Sequence, residues 1–219
     1  MTATISELLI GASCALLGAI IGAFLGAYFT RIDNKKRTEK MEHAFYYEFQ
    51  HTSETLINWF QTLVEEYNNP LRNEYSGLPN IDLSLVDALV VELAATDRMV
   101  TTPNRQLILR MKPSLTSLHS AEIKRDEFIS SWLTSGHLMD NEKKRECRRK
   151  IKYFTGRLLI DVTQLIFYLQ KLDAERERFV FMQDVSRVDM VRACCITTGM
   201  NYDHHMWIPL LKQYGLEHE

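Results

Sequence analysis

Residues 8–29 read LLIGASCALLGAIIGAFLGAYF and contain no charged side chain. As a helix, 22 residues extend about 33 Å, enough to cross a hydrocarbon layer of about 30 Å. No other part of the chain carries an uncharged apolar run of comparable length. This stretch therefore constrains everything after it: the chain is expected to hold one membrane span followed by about 190 residues, the size of a domain with its own core.

The flanks decide how the span is read. Residues 1–7 (MTATISE) carry no Lys or Arg, and the apolar run is too long for the short core of a cleaved leader. A lipid-attachment site at Cys14 also fails, because the apolar run continues past it. The expectation is a retained span over 1–31. Arg31, Lys35, Lys36, Arg37 and Lys40 follow it closely. Basic flanks stay on the cytoplasmic side, so the N-terminus is expected outside, with 32–219 forming a cytoplasmic domain beneath the inner (plasma) membrane.

The span carries a pattern of small residues. Gly11, Gly18, Gly22 and Gly26 recur at intervals of seven, four and four, beside a stripe of Ala12, Ala15, Ala19, Ala23 and Ala27. Two successive G-x-x-x-G units allow close backbone approach, which is how helices associate in lipid. With no second span in the sequence, the expected partner is another copy or another membrane protein, and these glycines are the expected oligomerisation residues.

Beyond the span the periodicity is helical throughout. Met41, Phe45, Phe49, Leu56, Trp59, Phe60, Leu63 and Tyr67 share one face. With no Gly or Pro before Asn69-Pro70, a single rod from the membrane to Asn68 is expected, unless Asp33-Asn34 breaks it. A loop to Ile81 follows. A second helix over 83–97, capped by Asp82 or Ser84, points Leu85, Val86, Leu89, Val90 and Leu93 inward. A third over 102–135 opens on Thr102-Pro103, stops at Gly136 and is kinked or split by Pro113. Leu133 and Trp132 belong to its apolar line. A fourth runs from Asn141 to about Arg176, a fifth covers 185–197 and a sixth 203–214. Trp59, Trp132 and Trp207 sit at helical spacing among Leu and Phe, as core residues do. The fold class is all-α: one span continuous with a long amphipathic helix, then a helical bundle.

Composition removes several functions. The net charge of −2 gives no global signal for nucleic acid, and 46% hydrophobic content argues against disorder. Cys14, Cys147, Cys194 and Cys195 have no C-x-x-C spacing and read as reduced thiols. His204 and His205 are neighbours and diverge on a helix. His119 and Glu122 share a face, but no second carboxylate motif accompanies them. No metal and no cofactor is expected, and no phosphate-loop, dinucleotide or hydrolase motif is present.

Two features carry candidate chemistry. Lys143, Lys144, Arg145, Arg148, Arg149, Lys150 and Lys152 form the densest charge cluster. They are expected either to be a solvated helix start or to bind an anion: a phosphate ligand, nucleic acid, an acidic protein or anionic headgroups. Arg37 and His43, six positions apart, resemble the Arg-to-His signature of HEPN ribonucleases, which are also all-α. Thr38 stands after the Arg where Asn or His is commoner. The resemblance implies His43 as general acid or base and Arg37 steadying phosphate during attack by a 2′-hydroxyl. These are the only catalytic candidates, and the expectation is that the chain is not an enzyme.

A Gly/Ala-rich span, the basic RIDNKKR segment and a helical domain together resemble the layout of bacterial single-span membrane proteins with a cytosolic, HEPN-like bundle, among them membrane effectors and accessory proteins of antiphage systems. The resemblance implies a self-associating protein acting at the inner membrane, as an oligomeric pore in its sharpest version. The alternatives are a membrane-tethered HEPN-like ribonuclease and a single-span scaffold that recruits a partner through its basic helix.

Overall fold

In a computed structural model the chain is described over residues 2–96, 100–182 and 184–216, with side chains from residue 16 onward. Six α-helices follow one another: α1 (Thr2–Asn68), α2 (Ser84–Ala94), α3 (Thr102–Ser135), α4 (Asn141–Glu175), α5 (Arg187–Thr197) and α6 (His204–Gln213). A single 3-10 turn, Arg176–Arg178, follows α4. No strand occurs among the described residues.

The rod expected from the sequence is present, and α1 runs unbroken for 67 residues, about 100 Å. Asp33 and Asn34 do not interrupt it. Both side chains face outward, and the flanking hydroxyls turn back onto the helix: Thr30 Oγ1 donates to the Gly26 carbonyl (2.8 Å) and Thr38 Oγ1 to that of Asn34 (2.9 Å). From Phe45 onward one face of α1 is buried, with Phe45, Phe49, Leu56, Phe60 and Leu63 all in the core.

The long helices pack side by side, and three contacts set the direction of α4 against α1. Lys152 lies over the Tyr67 ring (4.5 Å), Gln170 Nε2 donates to Ser53 Oγ (2.8 Å), and Arg176 lies over the Tyr46 ring (5.5 Å). As residue numbers rise in α4 they fall in α1, so the two are antiparallel. α3 starts beside Tyr46, through Asn104 Nδ2 (3.5 Å), and ends where Trp132 Nε1 donates to the Arg72 carbonyl (2.8 Å). It therefore runs parallel to α1, with α4 packed against both. α6 lies over Phe60, whose ring stacks on Trp207 (5.9 Å).

Local chemistry sets the helix starts. Asp140 accepts from the Lys143 amide (2.8 Å), Ser186 from that of Asp189 (3.1 Å) and Asp203 from that of His205 (2.9 Å), satisfying amides that a helix start leaves free. At α2 the first residue is Ser84 and no side chain caps it in that way; Asp82 accepts from the Ser84 amide (2.8 Å) and hydroxyl (2.9 Å).

Several local expectations are corrected. Of the kink or split expected at Pro113, the split does not occur: α3 continues through it. That ring faces solvent, where water can satisfy the Leu109 carbonyl left without an amide donor, and the Ser114 hydroxyl donates to the Arg110 carbonyl (2.9 Å). Leu85 and Leu133 are half exposed rather than inward, since each lies at the edge of its helix's apolar stripe. α2 ends at Ala94, short of the expected 97. Gly136 does end α3, but in a right-handed conformation (φ −58°). A Cβ there would collide with the Trp132 carbonyl and indole, so the position needs a missing side chain.

Candidate functional site

Residues 16–29 of α1 present large apolar side chains over about 220° of the helix circumference, the rest being Gly and Ala. Leu16 is 66% exposed and Phe24 75%, and Leu17, Ile21, Leu25, Tyr28 and Phe29 are also mostly uncovered. Among the described residues, every one from 16 to 29 is exposed. One helix is thus long and apolar enough to cross a membrane. Gly18, Gly22 and Gly26 lie within about 80° of arc on it, and a Cβ placed at any of the three would meet nothing within 4 Å. The stripe is therefore open to another helix. Gly11 and Cys14 precede the residues whose side chains are described.

The basic segment follows directly. Arg37 Nη2 reaches Glu92 Oε2 of α2 (3.3 Å), and Lys35 pairs with Glu39 (3.9 Å), all on the surface. Between this part of α1 and the end of α2 lies a cleft of ≈ 1020 Å³, lined by Arg31, Lys35 and Arg37 together with Glu39 and Glu92. The remaining member of the suggested catalytic pair, His43, is exposed elsewhere. Six residues on an unbroken helix separate Arg37 and His43 by about 9 Å along the axis and about 120° around it.

The α4 cluster divides into bound and free charges. Lys143 pairs with its own cap Asp140 (3.7 Å), Lys150 lies near the Phe128 ring (5.8 Å) and Lys152 over Tyr67. Lys144, Arg145, Arg148 and Arg149 make no ion pair among the described residues. With Lys152 they occupy about 140° of the helix circumference, in rows spaced four residues apart. The antiparallel packing puts this face beside the far end of α1. Tyr67 is 38 residues beyond Phe29, about 57 Å along the helix. The basic face thus stands at the end of α1 opposite its apolar segment.

The histidine candidates stay apart from any ligand cluster. The His204 and His205 rings lie 6.2 Å apart at roughly right angles, both exposed. Among the described residues no three His, Cys, Asp or Glu side chains gather as metal ligands do. Cys147, Cys194 and Cys195 are free and buried, and burial raises each thiol pKa, which holds them in the weakly nucleophilic protonated form.

One polar cluster escapes the sequence reading. Arg125, on the inner side of α3, is 0% exposed. Its Nη1 donates to Glu66 Oε2 on α1 (2.6 Å), and its Nη2 donates to Glu122 Oε1 (2.8 Å) and to the Ser76 carbonyl. Glu66, also fully buried, takes the Ser76 amide on its other oxygen (2.6 Å). Burial raises the Glu122 pKa and Arg125 opposes that rise. The pattern E-x-x-R at 122–125 is a common surface pairing on helices, and only the contact with Glu66 and the loop at Ser76 makes it internal.

No protein-family model, no curated protein and no solved structure matches this chain.

Proposed function

We propose that the chain is a membrane-anchored, self-associating helical protein of the bacterial inner membrane. Residues 8–29 span the bilayer with the N-terminus outside, and the bundle hangs in the cytoplasm as a sensing or docking domain. A single observation carries this reading: the apolar half of α1 is uncovered on all sides, yet continuous with the helix that organises the bundle. A patch of that extent on a soluble monomer is an association or membrane surface.

Self-association runs through Gly18, Gly22 and Gly26, whose open stripe accepts a second helix backbone. The protein works as an effector or accessory factor, in antiphage defence in the sharper form of the proposal, by changing membrane permeability. The span offers no charged lining, so a pore through it is narrow and opens by wetting.

The test is the mass of nanodisc-embedded protein, wild type beside Gly22→Leu. A defined multimer that falls to a monomer in the variant supports the proposal. A monomer in both removes self-association, and release of the wild type from membranes by alkaline carbonate removes the span.

A second reading rests on four cations of α4 that make no ion pair among the described residues. A scaffold of this build holds Lys144, Arg145, Arg148 and Arg149 away from the bilayer, where they recruit an anionic partner from the cytoplasm. Loss of that partner on reversing Arg148 and Arg149, with assembly intact, distinguishes it.

A further inference from the structure

Residues 143–152 carry seven cations and one carboxylate in a chain whose net charge is −2, so the positive potential of the protein is local. On α4 it is also ordered. Lys144, Arg148 and Lys152 form one row and Arg145 and Arg149 a second, each step advancing about 6 Å along the helix. Such a surface fits an anion that repeats its charge along a chain.

The second row ends on an aromatic ring. Tyr153 stands one turn beyond Arg149, at the same four-residue spacing. The residue is 42% exposed, although two rings hold it in place: Phe154 meets it edge-on (5.3 Å between centroids) and Tyr214 lies tilted against it (5.3 Å). The Tyr214 hydroxyl donates to the Tyr153 carbonyl, which ties the pair together just past α6. Arg157, paired with Asp161 (3.1 Å), lies near the Tyr214 ring (5.9 Å). Glu142 and Glu146 border the second row on the side away from Lys144 and mark the edge of the positive face.

The choice among anionic partners follows from the ring. Carboxylate side chains and lipid headgroups offer charge without a flat π-face. Nucleotides offer both, a phosphate at each step and a base that stacks on an exposed aromatic side chain. In a duplex the bases are stacked on one another and closed to Tyr153, whereas in a single strand they are open to it.

We infer that this face of α4 binds single-stranded nucleic acid, with backbone phosphates along the two rows of cations and a base stacked on Tyr153. The inference rests on the second reading above, that these cations recruit an anionic partner, and adds the chemical class of that partner.

The experiment is fluorescence anisotropy of a labelled oligothymidylate of about 15 nucleotides, within the site sizes of single-strand binders. It is titrated with the full chain in nanodiscs of zwitterionic lipid, with an unlabelled duplex of equal length and a poly-glutamate peptide as competitors. Retention on heparin is recorded alongside. Wild type is expected to bind the strand, with affinity falling as salt rises. The duplex and the peptide are expected to bind at least about fivefold more weakly, the scale of one stacked base. Tyr153→Ala is expected to lose about fivefold or more in strand affinity with heparin retention unchanged, and Tyr153→Phe to keep the wild-type affinity. Reversal of Arg148 and Arg149 to Glu is expected to lose both strand and heparin. A wild type that is retained on heparin but ignores the oligonucleotide overturns the inference and leaves the second reading standing. Failure to bind either removes the two together. Equal binding of the duplex or the peptide, measured on the wild type alone, also overturns the inference, as does unchanged strand affinity in Tyr153→Ala.

Discussion

The Lys152 ammonium stands 4.5 Å over the ring of Tyr67, the penultimate residue of α1. That contact fixes which end of α4 meets which end of α1, and with it the address of the basic face. Four cations that make no ion pair among the described residues stand beside the tip of the rod, about 57 Å from the last apolar residue of the proposed span.

Reversing Arg148 and Arg149 to Glu is therefore expected to leave membrane attachment untouched while abolishing retention on a polyanion such as heparin. Flotation with anionic vesicles and a heparin column read the two effects separately. Release of the double variant from vesicles would contradict the register of α1 and α4.

The basic residues beside the apolar segment have the opposite expectation. Replacing Arg31, Lys35, Lys36, Arg37 and Lys40 by Gln removes the charge asymmetry that sets orientation, and a mixed or inverted topology is expected. Periplasmic-phosphatase and fluorescent fusions at the C-terminus report which side the bundle occupies. An unchanged cytoplasmic signal would rule out these charges as the determinant.

Arg125→Met is expected to destabilise the bundle by about 3–5 kcal/mol, because it leaves Glu66 and Glu122 buried without their cation. Urea unfolding measures it. The pH dependence has a definite sign. Burial raises the folded-state pKa of Glu122 above its ordinary value of 4.5. Its protonation therefore contributes stability that is full below that value and lost as pH rises through the raised one. Glu122→Gln is expected to flatten this window in the stability–pH curve, and an unaltered curve would show that another group titrates there.

Gly156 lies where α6 crosses α4. A Cβ there would come within 2.6 Å of Leu210 Cδ1 and 3.2 Å of Tyr67. Gly156→Val is expected to cost about 1–3 kcal/mol by overpacking and to push α6 outward. Trp207, which stacks on Phe60 beneath α6, should then shift its fluorescence to the red. An unshifted spectrum with full stability would mean that α6 has room the packing does not suggest.

The helices were legible because their signals are local and agree with one another. The opening expected at Thr102-Pro103 holds to within one residue, with Thr101 as the cap, and Asp140, Ser186 and Asp203 likewise accept hydrogen bonds within their own turns. The lines Phe45–Phe49–Leu56 and Ile151–Leu158–Leu165 reach the core through simple 3.6-residue spacing. That Pro113 leaves α3 unsplit depends on its ring facing water, and Leu85 and Leu133 misled because the edge of a stripe is set by neighbours from elsewhere in the chain. The Glu66–Arg125–Glu122 cluster was hidden for the same reason. It joins residues 59 positions apart with a loop amide and carbonyl, and no local pattern distinguishes a buried Arg from a solvated one. The candidate anion face was visible as composition. That three of its seven cations are engaged by Asp140, Phe128 and Tyr67 is not legible in that composition.

The unbroken course of α1 has a mechanical consequence. From Thr30 to Asn68 it contains neither glycine nor proline, and the same helix carries the uncovered apolar surface at one end and the central wall of the bundle at the other. It behaves as a drive shaft with no universal joint. A rotation or tilt imposed on Gly18, Gly22 and Gly26 by a neighbouring helix arrives at Phe45 and Phe60 as the same rotation or tilt, and a torque applied to the bundle returns along the same path.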